Sequence, residues 1–444
     1  MNVLYLHCHD AGRFISPYGH DLPTPNLERF AQESTLFRQA YCCGPTCSPS
    51  RTGLLTGVTP HQAGMLGLAH RGFSLKHPEY HLAHYLRGQG YHTALAGVQH
   101  EFRHDEEKPY DTMIQVPLPK DPPWKAGEKA RIQDLAVAEA TREFLLNYDG
   151  EKPFFLSCGF ILPHRQFPET PLPDPGRVAV PACLPDTPKV RRDLATYHAA
   201  VASLDLTMGI VLDTLRQSGL DQNTLVFVTT DHGIAFPMMK CHLTDTGIGV
   251  MLMMQMPGNP AAGRTCDALV SHLDVYPTIC DYAGLPKPDW LAGHSMKPLF
   301  DDPAAGEIRD AVFSEVTYHA GYEPMRSIRT KRYKLIKVFE EDTRPNRVNC
   351  DDSASKEALE ETGWFDQRRD GVQLYDLLRD PAERHNLATD SAHLELRNQL
   401  EARLHGWMSD TSDPLLDGEV PAPKGAKINT RDQQSAKEPA VVAE

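Results

Sequence analysis

The sequence lacks a long uninterrupted apolar run. No such run among its 444 residues approaches the roughly 20 needed to cross a bilayer. No basic segment followed by an apolar one precedes the first strand-like stretch, Val3 to Cys8. A leader peptide has that two-part pattern. The expectation is a cytoplasmic protein without a membrane partner. Positive charge is also short: 45 Lys and Arg against 59 Asp and Glu leave a formal net charge of −14. That balance argues against nucleic acid as the main partner. It leaves anionic small substrates open, because a local cluster of Arg, Lys, His and metal can dominate one pocket. Metal-knuckle spacing is missing too. The ten cysteines (Cys8, Cys42, Cys43, Cys47, Cys158, Cys183, Cys241, Cys266, Cys280, Cys350) contain one adjacent pair and no repeated short spacing. A chain this long does not need disulfides, so most are expected as buried free thiols. No internal repeat is present.

What is there is a series of buried-strand patterns alternating with helices. Val3–Cys8, Tyr91–Ala96, Phe154–Phe160, Thr224–Thr230 and Gly249–Met254 read as core strands. Thr24 and Pro25 mark a helix start. Leu82–Leu86, 130–147 and a long stretch from Leu194 to Leu215, ended by Gly219, read as helices. Segments 103–127 and 166–188 are Pro-rich and read as loops, the second on a pocket rim. From about residue 306 the pattern changes to short strands, Ala311–Glu315 and Tyr333–Lys337, separated by Arg326–Arg329. A helix over 391–408 closes this part. The composition of 411–444 predicts little order. The reading is a domain over 1–305, a subdomain over 306–410 and a tail.

Polar residues collect where these strands end. They are His9-Asp10, then Val98 to His100, then Pro163-His164-Arg165, then Asp231-His232-Gly233, with Lys240 shortly after. Ligands of open α/β sheets bind at the carboxyl ends of strands. Each pair alone reads equally well as a polar turn, and with 21 histidines most must be structural or on the surface.

Cys47-Ser48-Pro49-Ser50-Arg51 resembles the sulfatase modification motif, Cys-x-Pro-Ser-Arg. The residue-level alternative is a thiol at a helix start, made redox-active by the lowered pKa such positions give. Pro60-His61-Gln62-Ala63-Gly64-Met65 and Pro163-His164-Arg165 resemble the heparan N-sulfatase branch. With Asp10, Asp231-His232 and Leu374-Tyr375-Asp376-Leu377, the resemblance covers roughly residues 1–408. It implies an alkaline-phosphatase-like α/β fold: a mixed, mostly parallel sheet flanked by helices, with a smaller α+β subdomain carrying an antiparallel sheet. It implies a formylglycine made from Cys47 by a maturation enzyme, which is then a partner of the chain. It implies one divalent ion held by Asp10, Cys47, Asp231 and His232. Arg51 orients the hydrated aldehyde, and Lys240 balances sulfate charge. His164, with Arg165, meets the substrate and its leaving group, and His100 deprotonates the remaining hydroxyl. The implied substrate is a sulfate ester or sulfamate of a saccharide or small molecule. The oligomeric state stays open, a homo-oligomer included.

Three positions depart from the family pattern. His9 stands where the family has an Asp, His232 where Asn is common, and Val98 where it has a lysine. Imidazole suits transition metals better than calcium, so Mn²⁺ stands beside Ca²⁺. A phosphonate or phosphate diester hydrolase on the same scaffold, with its Asp-His pair, is the second reading. A binding protein without turnover is the third, although an intact Cys47–Arg51 motif speaks against it.

Overall fold

The computed structural model describes residues 1–118, 126–169, 171–302 and 306–444. The boundary expected at 305, and part of the loop expected over 103–127, fall outside the described residues.

The buried-strand patterns assemble into one sheet of eight strands. Its spatial order is Thr112–Met113, His92–Gly97, Phe154–Gly159, Asn2–Cys8, Thr224–Thr230, Leu252–Gln255, Thr35–Phe37, Arg264–Cys266. Only Leu252–Gln255 runs antiparallel to its neighbours. Side chains alternate across the strands, and the core splits with that period of two. Leu4, Leu6, Phe154, Leu156, Val226 and Val228 face one layer. Val3, Tyr5, Phe155, Leu225 and Phe227 face the other. The helices Ala126–Leu146 and Pro188–Gln217 cover the first face. The helices Cys47–Thr56, Leu82–Gly88 and Val275–Ala283 cover the second.

The helix Pro188–Gln217 is long and apolar enough by composition to cross a membrane, against the sequence expectation. Its most apolar window is 67% buried inside the protein, so its hydrophobicity serves the core. Thr24 does hold the N-cap position of Pro25–Glu33, but its hydroxyl meets Ser16 instead of the helix. Segment 103–127 carries an edge strand, Thr112–Met113, alongside His92–Gly97. In the loop after Gly159, Phe167, Val178 and Leu184 are buried in the core.

A second, four-stranded antiparallel sheet runs Ala311–Tyr318, Tyr322–Thr330, Tyr333–Val338, Val372–Asp376. Arg326–Arg329, expected to separate strands, is the middle of one. Its polar look misled because Arg326 is a buried charge, paired with Asp413 at 2.6 Å. The helix Leu394–Asp410 packs on this sheet through Leu400, Leu404 and Met408. Val312, Val316, Met325 and Ile336 join the core of the main sheet, so the two sheets share apolar contacts.

The expected disorder of 411–444 is overturned. Asp413 is buried under Arg326, and Arg71 donates to Asn429 Oδ1 at 2.8 Å. Lys356 donates to Gln434 O at 2.6 Å, and Ser435 to Asp352 at 2.6 Å. Lys427–Ile428 pairs with Val441–Val442. Composition failed as a guide here because long-range polar ties join the few buried apolar residues, Leu415, Val420 and Ala426, in holding the segment.

Candidate active site

The site lies at the carboxyl ends of the central strands. Cys8 pairs with Thr230 and His7 with Gly159, so the residues that follow must meet. Asp10 leaves its strand with a left-handed backbone, φ 47°. Such conformations are costly for non-glycine residues and collect at functional sites. The loop of Asp10 lies tight against that of Asp231. Gly12 N donates to His232 O at 2.9 Å, and a Cβ on Gly233 would sit 1.9 Å from Thr246 O.

Cys47 is the first residue of a ten-residue helix whose every side chain is buried. Ser50 donates to Asp231 O, and Ser48 accepts from Ala69 N at 3.0 Å. These bonds lock the helix start to the two loops beside it. Burial pushes the Cys47 thiol well above its usual range, although Lys240 and Arg51 oppose this. That contradicts the thiolate alternative: a redox-reactive cysteine needs its pKa lowered.

Asp231 is the best-held acid. Its Oδ1 accepts from Asp10 N at 2.9 Å and His232 N at 3.0 Å. Its Oδ2 accepts from Arg51 at 3.0 Å and lies 3.1 Å from His9 Nδ1. Burial alone would raise its pKa, but His232, Arg51 and His9 hold it well below the usual carboxylate range. His232 Nε2 lies 3.5 Å from Cys47 Sγ and 3.4 Å from Asp10 Oδ1. Lys240 bridges Asp10 Oδ2 and Asp351 Oδ2, at 3.2 Å each. Burial would discharge this lysine; the two carboxylates hold its pKa well above the usual value. Met238 and Cys241, close on either side of it, both have positive φ.

The structure brings Cys47, Asp10, Asp231, His232 and Lys240 together as expected, with His100 and His164 beside them. The His100 ring lies tilted against that of His9, with centroids 4.6 Å apart. His164 Nε2 lies 4.0 Å from Asp10 Oδ2. One expected role needs correcting, that of Arg165, and Arg51 gains another. Arg51 donates to His7 Nδ1 (2.7 Å), Cys8 O (2.8 Å) and Asp231. It positions Asp231. Arg165 is not free for substrate. Its guanidinium pairs with Asp193 at 2.7 and 2.8 Å, donates to Ala235 O and lies over Phe167 and Phe236. Asp193 thus neutralises the charge that a sulfate would need. His61 lies outside the site as well, with Nδ1 3.0 Å from Glu315.

Sequence reasoning missed four residues. His9, left without a role, faces inward with its ring buried. His70 lies 6.3 Å from His100. Asp351 and His319 come from connections within the second sheet, beside Lys240. His319 directly follows the strand Ala311–Tyr318, which the sequence reading ends at Glu315. For Asp351, the Asp351-Asp352 doublet after Cys350 gave a signal.

A divalent ion fits this cluster. His9, Asp10, Cys47 and Asp231 each offer a ligand atom within 4.8 Å of the others. His9 Nε2 and Asp10 Oδ1 are buried without a hydrogen-bond partner. Buried polar atoms are seldom left so, and a cation would satisfy them.

Comparison with known proteins agrees with this geometry. The family model described as Sulfatase matches residues 1–285. This chain belongs to the sulfatase family. A second model, N-sulphoglucosamine sulphohydrolase, C-terminal, matches residues 237–349. Human N-sulphoglucosamine sulphohydrolase is 31% identical over 94% of this chain and 91% of its own length. Among solved structures, one titled as a complex with its substrate D-glucosamine-2-N,6-O-disulfate is similar at a TM-score of 0.71. It has 18% identity and covers 94% of this chain and 99% of its own. The phosphonate monoester hydrolase of Agrobacterium radiobacter matches at a TM-score of 0.68 and 19% identity, covering 100% of this chain and 99% of its own. Both structural likenesses show a shared fold alone. The sulfatase's alkaline-phosphatase-like sheet is thus present as the motifs implied, and the reaction class is sulfuric ester hydrolysis.

Proposed function

We propose that this sulfatase hydrolyses a sulfate ester or sulfamate carried by a sugar, with a formylglycine derived from Cys47 and one divalent ion. The observation that carries the reading is the convergence of Cys47 with Asp10, Asp231, His232 and Lys240 in one buried cluster. The hydrated formylglycine supplies a nucleophile and a release route, and the ion supplies charge neutralisation. The remaining work falls to side chains. Asp10, Asp231, His9 and His232 would hold the ion. Arg51 keeps Asp231 ionised and fixed. Lys240 presents its ammonium beside Asp10, where sulfuryl oxygens would gather charge.

His100 can serve as a hydrogen-bond acceptor. Burial, with help from Arg51, lowers its pKa to about 3, so the ring is neutral at working pH. Its Nδ1 has no protein partner. His164 is half-open, with its side chain 31% exposed. Its Nδ1 lies 2.6 Å from Arg165 O, which fixes a proton there. It therefore donates to a leaving group from Nε2 only as imidazolium, and accepts a hydrogen bond when neutral. Val98 provides no cation. Arg51 and Lys240 supply the fixed positive charge around Asp10 and Asp231 in its place.

The Asp231-His232 pair is what a phosphonate hydrolase reading would rest on, so the test must separate the two. Formylglycine-bearing protein is assayed on an aryl sulfate, N-sulfoglucosamine and an aryl phosphonate. Higher kcat/KM on a sulfate or sulfamate is expected. Preference for the phosphonate would transfer the assignment to the second reading, and no turnover on any ester would favour a binding protein.

A further inference from the structure

We infer that His9 and His232 are both direct metal ligands, and that together they make this a mixed nitrogen–oxygen site for a first-row transition cation instead of an oxygen site for calcium. The inference rests on the proposed location of the ion beside Cys47.

Calcium takes 6–8 oxygen ligands. Among the described residues, the carboxylates of this cluster are those of Asp10 and Asp231. Three of their four oxygens already serve the protein. Asp231 Oδ1 accepts two backbone N–H groups, Asp231 Oδ2 accepts from Arg51, and Asp10 Oδ2 accepts from Lys240. Only Asp10 Oδ1 is uncommitted. Arg51 and Lys240 also neutralise the charge that would attract a hard cation. Two carboxylates are too small an oxygen supply for calcium.

The nitrogen supply is the reverse. His232 Nδ1 lies 2.9 Å from Gly233 O. A carbonyl only accepts, so the ring proton of neutral His232 sits on Nδ1. The lone pair is then on Nε2, which faces Asp10 Oδ1 at 3.4 Å, Cys47 Sγ at 3.5 Å and Asp231 Oδ2 at 3.7 Å. A lone pair aimed at two carboxylates is repulsive unless a proton or a metal cation stands among them. An N–H on a backbone carbonyl is also how metal-binding histidines are held in the ligating tautomer. His9 is fully buried; its Nδ1 meets Asp231 Oδ2 at 3.1 Å, and its Nε2 has no hydrogen-bond partner among the described residues. Leaving a buried polar group unsatisfied costs on the order of 1–3 kcal/mol. Coordination relieves it. Imidazole favours transition ions, whereas carboxylates alone would not discriminate against calcium.

The test uses full-length, formylglycine-bearing protein stripped by a chelator and offered Mn²⁺ and Ca²⁺ in competition, with bound metal measured by elemental analysis. Retention of Mn²⁺ over Ca²⁺ is expected. His9→Asp should move the ratio toward Ca²⁺ by about 10–100-fold, the usual size of a ligand-sphere effect. Pulsed electron paramagnetic resonance of the Mn²⁺-loaded wild type should show imidazole nitrogen couplings, and this readout stands even if the variant fails to fold. Preferential Ca²⁺ retention by the wild type, or a Mn²⁺ spectrum without nitrogen coupling, would overturn the inference. Its fate is separable from that of the function. Nitrogen-bound Mn²⁺ in a protein that cleaves no sulfate would sustain the metal assignment and remove the activity. Sulfate turnover with Ca²⁺ as the retained ion would do the opposite.

Discussion

The floor of the site and its wall are built in different ways. The floor is made of residues one or two positions beyond central parallel strands: His9, Asp10, Asp231 and His232. Their backbones follow from strand pairing, and Asp231 is tied by backbone N–H groups and by Arg51. The wall is made by His319, in the first turn of the second sheet, and Asp351, in the connection between its last two strands, with Asp351 joined to the floor through Lys240. Rigid strand ends can hold reacting groups to the tolerance that chemistry requires. A loop braced by an ion pair can vary without disturbing them. The floor therefore fixes the reaction, and the wall is where substrate choice would be set.

The sharpest way to break this comparison is at the floor. Cys47→Ala should abolish turnover while thermal melting stays close to wild type, because the helix start is also held by Ser48 and Ser50. Next is Lys240→Ala, which joins the two parts. Removing one preorganised charged donor typically costs on the order of 10²–10³ in kcat, and this variant also leaves Asp10 and Asp351 unpaired. A fall below about tenfold would mean that the sulfate charge is met elsewhere.

The wall should respond more mildly. Asp351→Asn keeps the volume and removes one carboxylate from Lys240. The expected result is a change in KM larger than the change in kcat, on the order of tenfold. A larger loss in kcat than in KM would place Asp351 in the chemistry and erase the distinction. The tail acts through stability. Truncation before Asp413 leaves Arg326 buried without its closest carboxylate, and breaking a buried pair costs about 3–5 kcal/mol. The melting temperature should fall by about 3–5 °C, because an unfolding entropy of about 2.1 cal/mol/K per residue makes 1 kcal/mol worth roughly 1 °C in a chain of 444 residues. An unchanged melting temperature would show that Glu315, 3.2 Å from Arg326, suffices alone.

The smallest effect concerns the turn that delivers His164. Asp134 accepts from Ile161 N at 2.8 Å and Leu162 N at 2.9 Å. Burial raises its pKa from 3.8 to about 7 despite those bonds. The folded state thus holds its proton more tightly than the unfolded chain does. Its contribution to stability is full below pH 3.8 and is lost as pH rises to about 7. Asp134→Asn should flatten that part of the stability–pH curve, as read by urea unfolding at several pH values. An unchanged slope would assign it to other groups.

This division also explains what was legible in the sequence. Thr224–Thr230 is a strand with the expected bounds, and Asp231-His232 follows it into the site. Alternation and a polar pair after an apolar run were enough. Arg326 and Asp413 were misread because each is polar in sequence and buried in space, 87 residues apart. No local pattern carries such a pairing. Arg165 was misread for a related reason: its neighbour His164 faces the site, while its own partner, Asp193, comes from a helix 28 residues on. His9 was legible as a departure from a motif, but its direction depended on strand pairing with Cys8 and Thr230.

The central claim is that Cys47 acts only after conversion to formylglycine. The most direct measurement is the fraction of Cys47 converted, read by peptide mass spectrometry, in preparations made with and without a maturation enzyme and assayed in parallel. Sulfatase activity should rise in proportion to the converted fraction and vanish where the thiol is intact. Full activity in protein whose Cys47 is entirely unmodified would contradict the account.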